Sequence, residues 1–92
     1  PQACDSVEAI VALPEVDAVS ITTPPFLHYE QAKIVLNANK HLLLEKPTTL
    51  VAAEAQELLD LATSRQLITT LNFEFRCIPA WMRLAELLAE GY

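Results

Sequence analysis

Glycine is almost absent from this 92-residue chain, and Gly91 is the only one. A loop that cradles a phosphate needs several glycines, so that backbone N–H groups can approach the anion closely. Neither a G-x-G-x-x-G nor a Walker sequence occurs, so the chain is not expected to carry a pyrophosphate site of its own. Cysteine is scarce as well. Cys4 and Cys77 stand far apart and fit no C-x-x-C or Cys/His spacing, which argues against a metal site and for reduced thiols. No apolar run approaches the ~20 residues of a membrane helix, and no signal peptide is visible, so a cytoplasmic protein without a membrane partner is expected. Lys and Arg number 6 against 12 Asp and Glu, for a net charge of −6. That balance disfavours nucleic acid and anionic membrane surfaces, both of which attract basic patches.

What is present reads as a globular α/β chain. The apolar share is 52% and the charged share 20%, and a chain of this length makes at most one small domain. Asp5 or Ser6 is placed to cap a short helix reaching Leu13, with Pro14 stopping it. Val16 to Thr23 follows as a strand that is apolar or small on both faces, as in a buried parallel sheet. Pro24 and Pro25 end it. Residues 26–39 have helical periodicity, with Ala32, Val35 and Leu36 on one face. His41 to Leu44 is a second short strand, closed by Glu45-Lys46-Pro47. Thr48 or Thr49 is placed to cap a helix reaching Arg65, with Val51, Ala55, Leu58 and Ala62 as its buried stripe and Glu54, Glu57, Asp60 and Ser64 as its wet face. Leu67 to Leu71 makes a third strand. Pro79 opens a last helix in which Trp81, Leu84, Ala85 and Leu88 are expected to be buried.

Short connections in an α-β-α-β-α-β-α order imply right-handed crossovers and a parallel sheet with helices layered on both faces, a three-layer α/β architecture. The first strand is an open edge unless another strand lies beside it, a hazard in a free protein. Ligands of such sheets bind outside the carboxyl ends of the strands. Here those ends carry Thr22-Thr23-Pro24-Pro25, then Glu45-Lys46-Pro47, then Asn72-Phe73-Glu74-Phe75-Arg76. Hydroxyls, an ammonium, a carboxylate, an amide and a guanidinium therefore meet on one rim. Lys46 precedes a proline and is held extended. An ammonium at a strand end can donate to a substrate oxygen and stabilise alkoxide character while a hydride moves, and Glu45 can orient it. The plain alternative is a solvated Glu45–Lys46 ion pair that merely ends a strand. His28 either touches a cofactor or is structural. His41 reads as structural, Trp81 and Met82 as core or domain contact, and Arg76 as a side chain remote from substrate.

Taken together, Asp17-Ala18-Val19, Thr22-Thr23-Pro24-Pro25 with His28, Lys40-His41 leading into Glu45-Lys46-Pro47, and Asn72-Phe73-Glu74-Phe75-Arg76 with Pro79-Ala80 resemble the Gfo/Idh/MocA oxidoreductases. The resemblance runs over nearly the whole chain. It implies the second half of a Rossmann fold, with residues 1–92 forming a partial NAD(P)-binding domain that lacks both the phosphate-binding half and a substrate domain. It implies NAD or NADP as cofactor and hydride exchange with a sugar- or polyol-like small molecule. Carried over residue by residue, Lys46 is the catalytic residue. Thr22, Pro24, Pro25, His28, Glu45, Lys46 and Asn72 line the cofactor, and Lys46–Pro47 is a candidate cis peptide. Glu74 stands where the family usually has arginine, so beyond Asn72 that last stretch carries nothing over. Alone, the chain is expected to be inactive and to bind NAD(P) feebly. Two rival readings are a non-catalytic sensor on the same scaffold and an association module pairing through its open first strand. A homo-oligomer is expected.

Overall fold

A computed structural model describes residues 2–92. Ser6, in extended conformation, caps helix α1 (Val7–Val11) by accepting from the Ala9 N–H at 3.2 Å. Strand β1 (Ala18–Ile21) leads into a single 3-10 turn at Pro25–Leu27 and then helix α2 (His28–Asn37). Strand β2 (His41–Glu45), helix α3 (Ala52–Ser64), strand β3 (Thr69–Asn72), a second 3-10 turn (Glu74–Cys77) and helix α4 (Pro79–Ala89) complete the chain. The three strands are parallel in the order β1-β2-β3. Val19 pairs with Leu42, Ile21 with Leu44, Leu44 with Leu71, and Glu45 with Asn72.

The parallel α/β sheet with flanking helices is as the sequence implies. Strand alternation decides which side becomes the core. Val19, Ile21, Leu42 and Leu44 point to one face, where Ala32, Val35 and Leu36 of α2 and Leu58 and Ala62 of α3 close over them. On the other face Ser20, Leu43 and Thr70 are exposed, so the described residues supply two of the three expected layers.

Helices α2 and α3 end without glycine. In each, the residue one past the cap turns left-handed: Asn39 with φ 58° and Gln66 with φ 57°. After α2, the Lys40 N–H reaches Val35 O (3.2 Å) and the Asn39 N–H reaches Leu36 O (3.0 Å); after α3, the Leu67 N–H reaches Ala62 O (2.9 Å) and the Gln66 N–H reaches Thr63 O (3.1 Å). These are paired Schellman closures. The Arg65 guanidinium ties the two ends together, donating to Asn37 O, Asn39 Oδ1 and Asn37 Oδ1 at 3.3, 2.8 and 3.0 Å.

Three local expectations are corrected. Neither Thr48 nor Thr49 caps α3. Val51 is the extended cap residue, without a side-chain bond, and the Thr49 hydroxyl donates to Val51 O instead (2.8 Å). Val51 therefore precedes the helix and is exposed rather than part of its buried stripe. Strand β3 begins two residues later than expected, because the Leu67 N–H is spent closing α3. Finally, Trp81, Leu84, Ala85 and Leu88 of α4 are all exposed. The helix packs chiefly against the 3-10 turn before it, with the Phe75 and Trp81 rings 6.2 Å apart. Amphipathic spacing identifies an apolar face but names no partner for it.

Candidate active site

The carboxyl ends of the three strands lie on one rim, and side chains link each to the next. At the end of β1, Thr22, Pro24 and Pro25 are exposed, while the Thr23 hydroxyl is spent on Gln31 Oε1 (2.6 Å). Pro24 and Pro25 have no N–H to give, so the chain turns through one 3-10 step, the Leu27 N–H bonding Pro24 O at 2.9 Å. That turn sends His28 inward as the first residue of α2, where it is 1% exposed. Its Nδ1 lies 2.7 Å from Pro47 O and its Nε2 2.8 Å from Thr23 O. The imidazole thus spans the ends of β1 and β2, and neither ring nitrogen is left for another ligand.

The ends of β2 and β3 are linked by their paired residues. Asn72 Nδ2 donates to Glu45 Oε1, and the Lys46 N–H donates to Glu45 Oε2 at 3.2 Å. The Asn72 hydrogen bond is the main reason the Glu45 carboxyl is held below its ordinary range. Desolvation, the next largest influence, opposes this, and the Lys46 N–H and the charges of Lys46 and His28 lower the carboxyl further. The carboxylate is therefore engaged by an amide and a main-chain donor rather than by an ammonium, and the plain ion-pair alternative is not what forms.

Lys46 is exposed, and among the described residues its ammonium makes no hydrogen bond or ion pair. The other two lysines differ: Lys33 pairs with Glu57 (3.0 Å) and donates to the Tyr29 hydroxyl (3.0 Å), and Lys40 donates to Leu13 O (3.3 Å). Lys46 instead lines a recess of about 410 Å³ with Phe73, Glu74, Phe75 and Arg76. The Lys46–Pro47 peptide is cis, as the resemblance implies. Glu74 and Arg76 thus stand beside Lys46 on the rim, as the shared strand ends imply, and the 3-10 turn after Asn72 is the element that carries them there. His41 is structural, its Nδ1 accepting from the Ile68 N–H at 3.1 Å. No described helix is long and apolar enough to cross a membrane.

Comparison with known proteins places this rim in context. A family model described as an oxidoreductase family with an NAD-binding Rossmann fold matches residues 1–73. An uncharacterized oxidoreductase of Synechocystis is 52% identical over 95% of this chain and 24% of its own length. UDP-N-acetylglucosamine 3-dehydrogenase of Acidithiobacillus ferrooxidans is 42% identical over 86% of the chain and 25% of its own length. Its solved structure superposes with a TM-score of 0.84 at 40% identity, covering 94% of this chain and 28% of that one. KijD10, a 3-ketoreductase of Actinomadura kijaniata solved with TDP-benzene and NADP, superposes with a TM-score of 0.85 at 37% identity, over 90% of this chain and 26% of that one. The chain spans about a quarter of the length of the curated relatives it matches.

Proposed function

Because the chain belongs to the Gfo/Idh/MocA oxidoreductase family with its NAD-binding Rossmann fold, we propose that residues 1–92 form the nicotinamide-facing part of that fold in a longer dehydrogenase. Its substrate is a sugar- or polyol-like small molecule. The donor set of the rim fits one end of a dinucleotide. The rim offers the Thr22 hydroxyl, the Glu45 carboxylate and the Asn72 amide as polar groups for a carboxamide, and the apolar surfaces of Pro24 and Pro25 for the ring that bears it. It offers no glycine cradle for phosphates, since Gly91 lies at the far end of the chain. The cofactor, NAD or NADP, supplies the hydride acceptor or donor when bound.

The chain's own residues do the rest. Asn72 holds Glu45 as a carboxylate and fixes its direction. Glu45 in turn engages the Lys46 N–H, which orients the peptide that carries the lysine. Lys46 Nζ donates a hydrogen bond to the reacting substrate oxygen and offsets the negative charge that builds there. The single observation carrying this reading is that Lys46, whose ammonium has no partner among the described residues, lines a recess at a strand end beside an anchored carboxylate. Support for the substrate class comes from relatives named as dehydrogenases or reductases of nucleotide-linked sugars and of an inositol.

In the full-length protein, Lys46→Ala is expected to lower kcat by about 100- to 1,000-fold, the scale of losing one charge-stabilising donor, with NAD(P) affinity little changed. Turnover near the unmodified level, measured by nicotinamide absorbance, refutes the assignment. The same reading has the rest of the fold covering the bare edge of β1, and the full-length protein self-associating, with the apolar face of α4 as a surface that requires cover. Light scattering of the full-length protein tests this, and a clean monomer at high concentration counts against it.

A further inference from the structure

Among the described residues His28 is the one polar side chain that is buried. Burying an imidazole is costly unless its polar atoms are matched, and both of its nitrogens are matched, at 2.7 Å to Pro47 O and 2.8 Å to Thr23 O. Both partners are carbonyl oxygens, which accept and never donate. A neutral imidazole has one donor and one acceptor, so a ring that satisfies two carbonyls donates from both nitrogens and carries a proton on each. Distances of 2.7–2.8 Å also match the range of charge-assisted N–H···O bonds.

The places of these carbonyls matter more than their number. Thr23 follows β1 by two residues, and Pro47 directly follows Lys46. The ring is therefore a two-ended strut between the turn after β1 and the peptide next to the lysine. Glu45 and Asn72 brace the lysine from the side of β3, and His28 braces it from the side of β1.

We propose that His28 is a positioning residue, which donates from Nδ1 to Pro47 O and from Nε2 to Thr23 O and so sets where Lys46 presents its ammonium, without itself touching the cofactor. This rests on the role assigned to Lys46 above. The two bonds can be cut separately in the full-length protein. His28→Asn places an amide donor near the position of Nδ1 and keeps the bond to Pro47 O. His28→Gln places one near the position of Nε2 and keeps only the bond to Thr23 O. The expected result is kcat within about threefold of the unmodified protein for His28→Asn and about tenfold or more lower for His28→Gln, as when a hydrogen bond that fixes a reacting group is lost. NADP affinity, read by fluorescence titration, stays within about twofold in both.

Equal losses in the two variants, His28→Gln outperforming His28→Asn, or no loss in either refutes the strut. A readout independent of turnover is the ¹⁵N spectrum of the unmodified protein. Both His28 ring nitrogens are expected to carry hydrogen, and one bare nitrogen overturns the double donation even where the variants fail to fold. Normal turnover in Lys46→Ala would refute the functional reading instead, leaving the ¹⁵N result to decide the strut alone.

Discussion

Replacing Gln66 with glycine is expected to stabilise the protein although it removes a side chain. Gln66 is exposed, makes no side-chain hydrogen bond among the described residues, and sits at φ 57° to close α3. A left-handed conformation costs an ordinary L-residue about 1–2 kcal/mol, through the approach of Cβ to the following carbonyl. Glycine escapes that cost but loses more backbone entropy on folding, by about 0.4–1 kcal/mol. The balance is a gain of about 0.5–1 kcal/mol for Gln66→Gly, with the bonds from Gln66 N–H and Leu67 N–H retained because they are main-chain. For a domain of this size that is a rise in Tm of roughly 3–6 °C, measurable by circular dichroism. The matching change at α2 provides the control. Asn39 also has a positive φ, but asparagine tolerates it, and its Oδ1 accepts from Arg65 at 2.8 Å. Asn39→Gly is therefore expected to be neutral or destabilising. A Gln66→Gly protein that melts no higher than the parent, or an Asn39→Gly protein that gains as much, refutes the reasoning.

Asn72→Leu releases the Glu45 carboxyl from its main stabilising donor. Since that carboxyl is depressed in the folded protein, its contribution is present above the ordinary carboxylate range and lost as pH falls through the folded value. The stability gap between the parent and Asn72→Leu, from denaturant melts, is thus expected to be widest near neutral pH and to shrink in acid; a gap that stays flat across that range counts against the Asn72–Glu45 pairing. Leu36→Ala removes a fully buried side chain at the centre of the core and is expected to cost about 2–5 kcal/mol. A loss under 1 kcal/mol in the same melts would show that the α2–sheet contact is not where the core lies.

The strand ends were legible from the sequence because proline and charge punctuate apolar runs. Pro24-Pro25, Lys46-Pro47 and Asn72 mark where three strands stop, and parallel pairing does the rest. The pairing of Glu45 with Asn72 was not drawn from the sequence, although each residue was singled out, because register is a property of two strands together. The inward turn of His28 was hidden for a related reason. Its position beside a proline turn is visible, but the direction of its ring depends on a single 3-10 step that costs the chain no recognisable residue. The exposure of Trp81, Leu84 and Leu88 was illegible because a helical stripe records a preference for burial and not the surface that satisfies it. The paired closures at Asn39 and Gln66 were missed because glycine is the usual signal there and is absent.

His28 holds main-chain carbonyls rather than side chains, and this bears on how the rim can change over time. The residue at 23 is free to drift in identity as long as its peptide oxygen stays in place, so the brace survives mutation at that attachment point. The imidazole is the one part of the brace that must reach both carbonyls at once, from two N–H groups on opposite sides of a small ring. The turn after β1 and the lysine's peptide are thus tied through main chain alone, whatever side chains surround them.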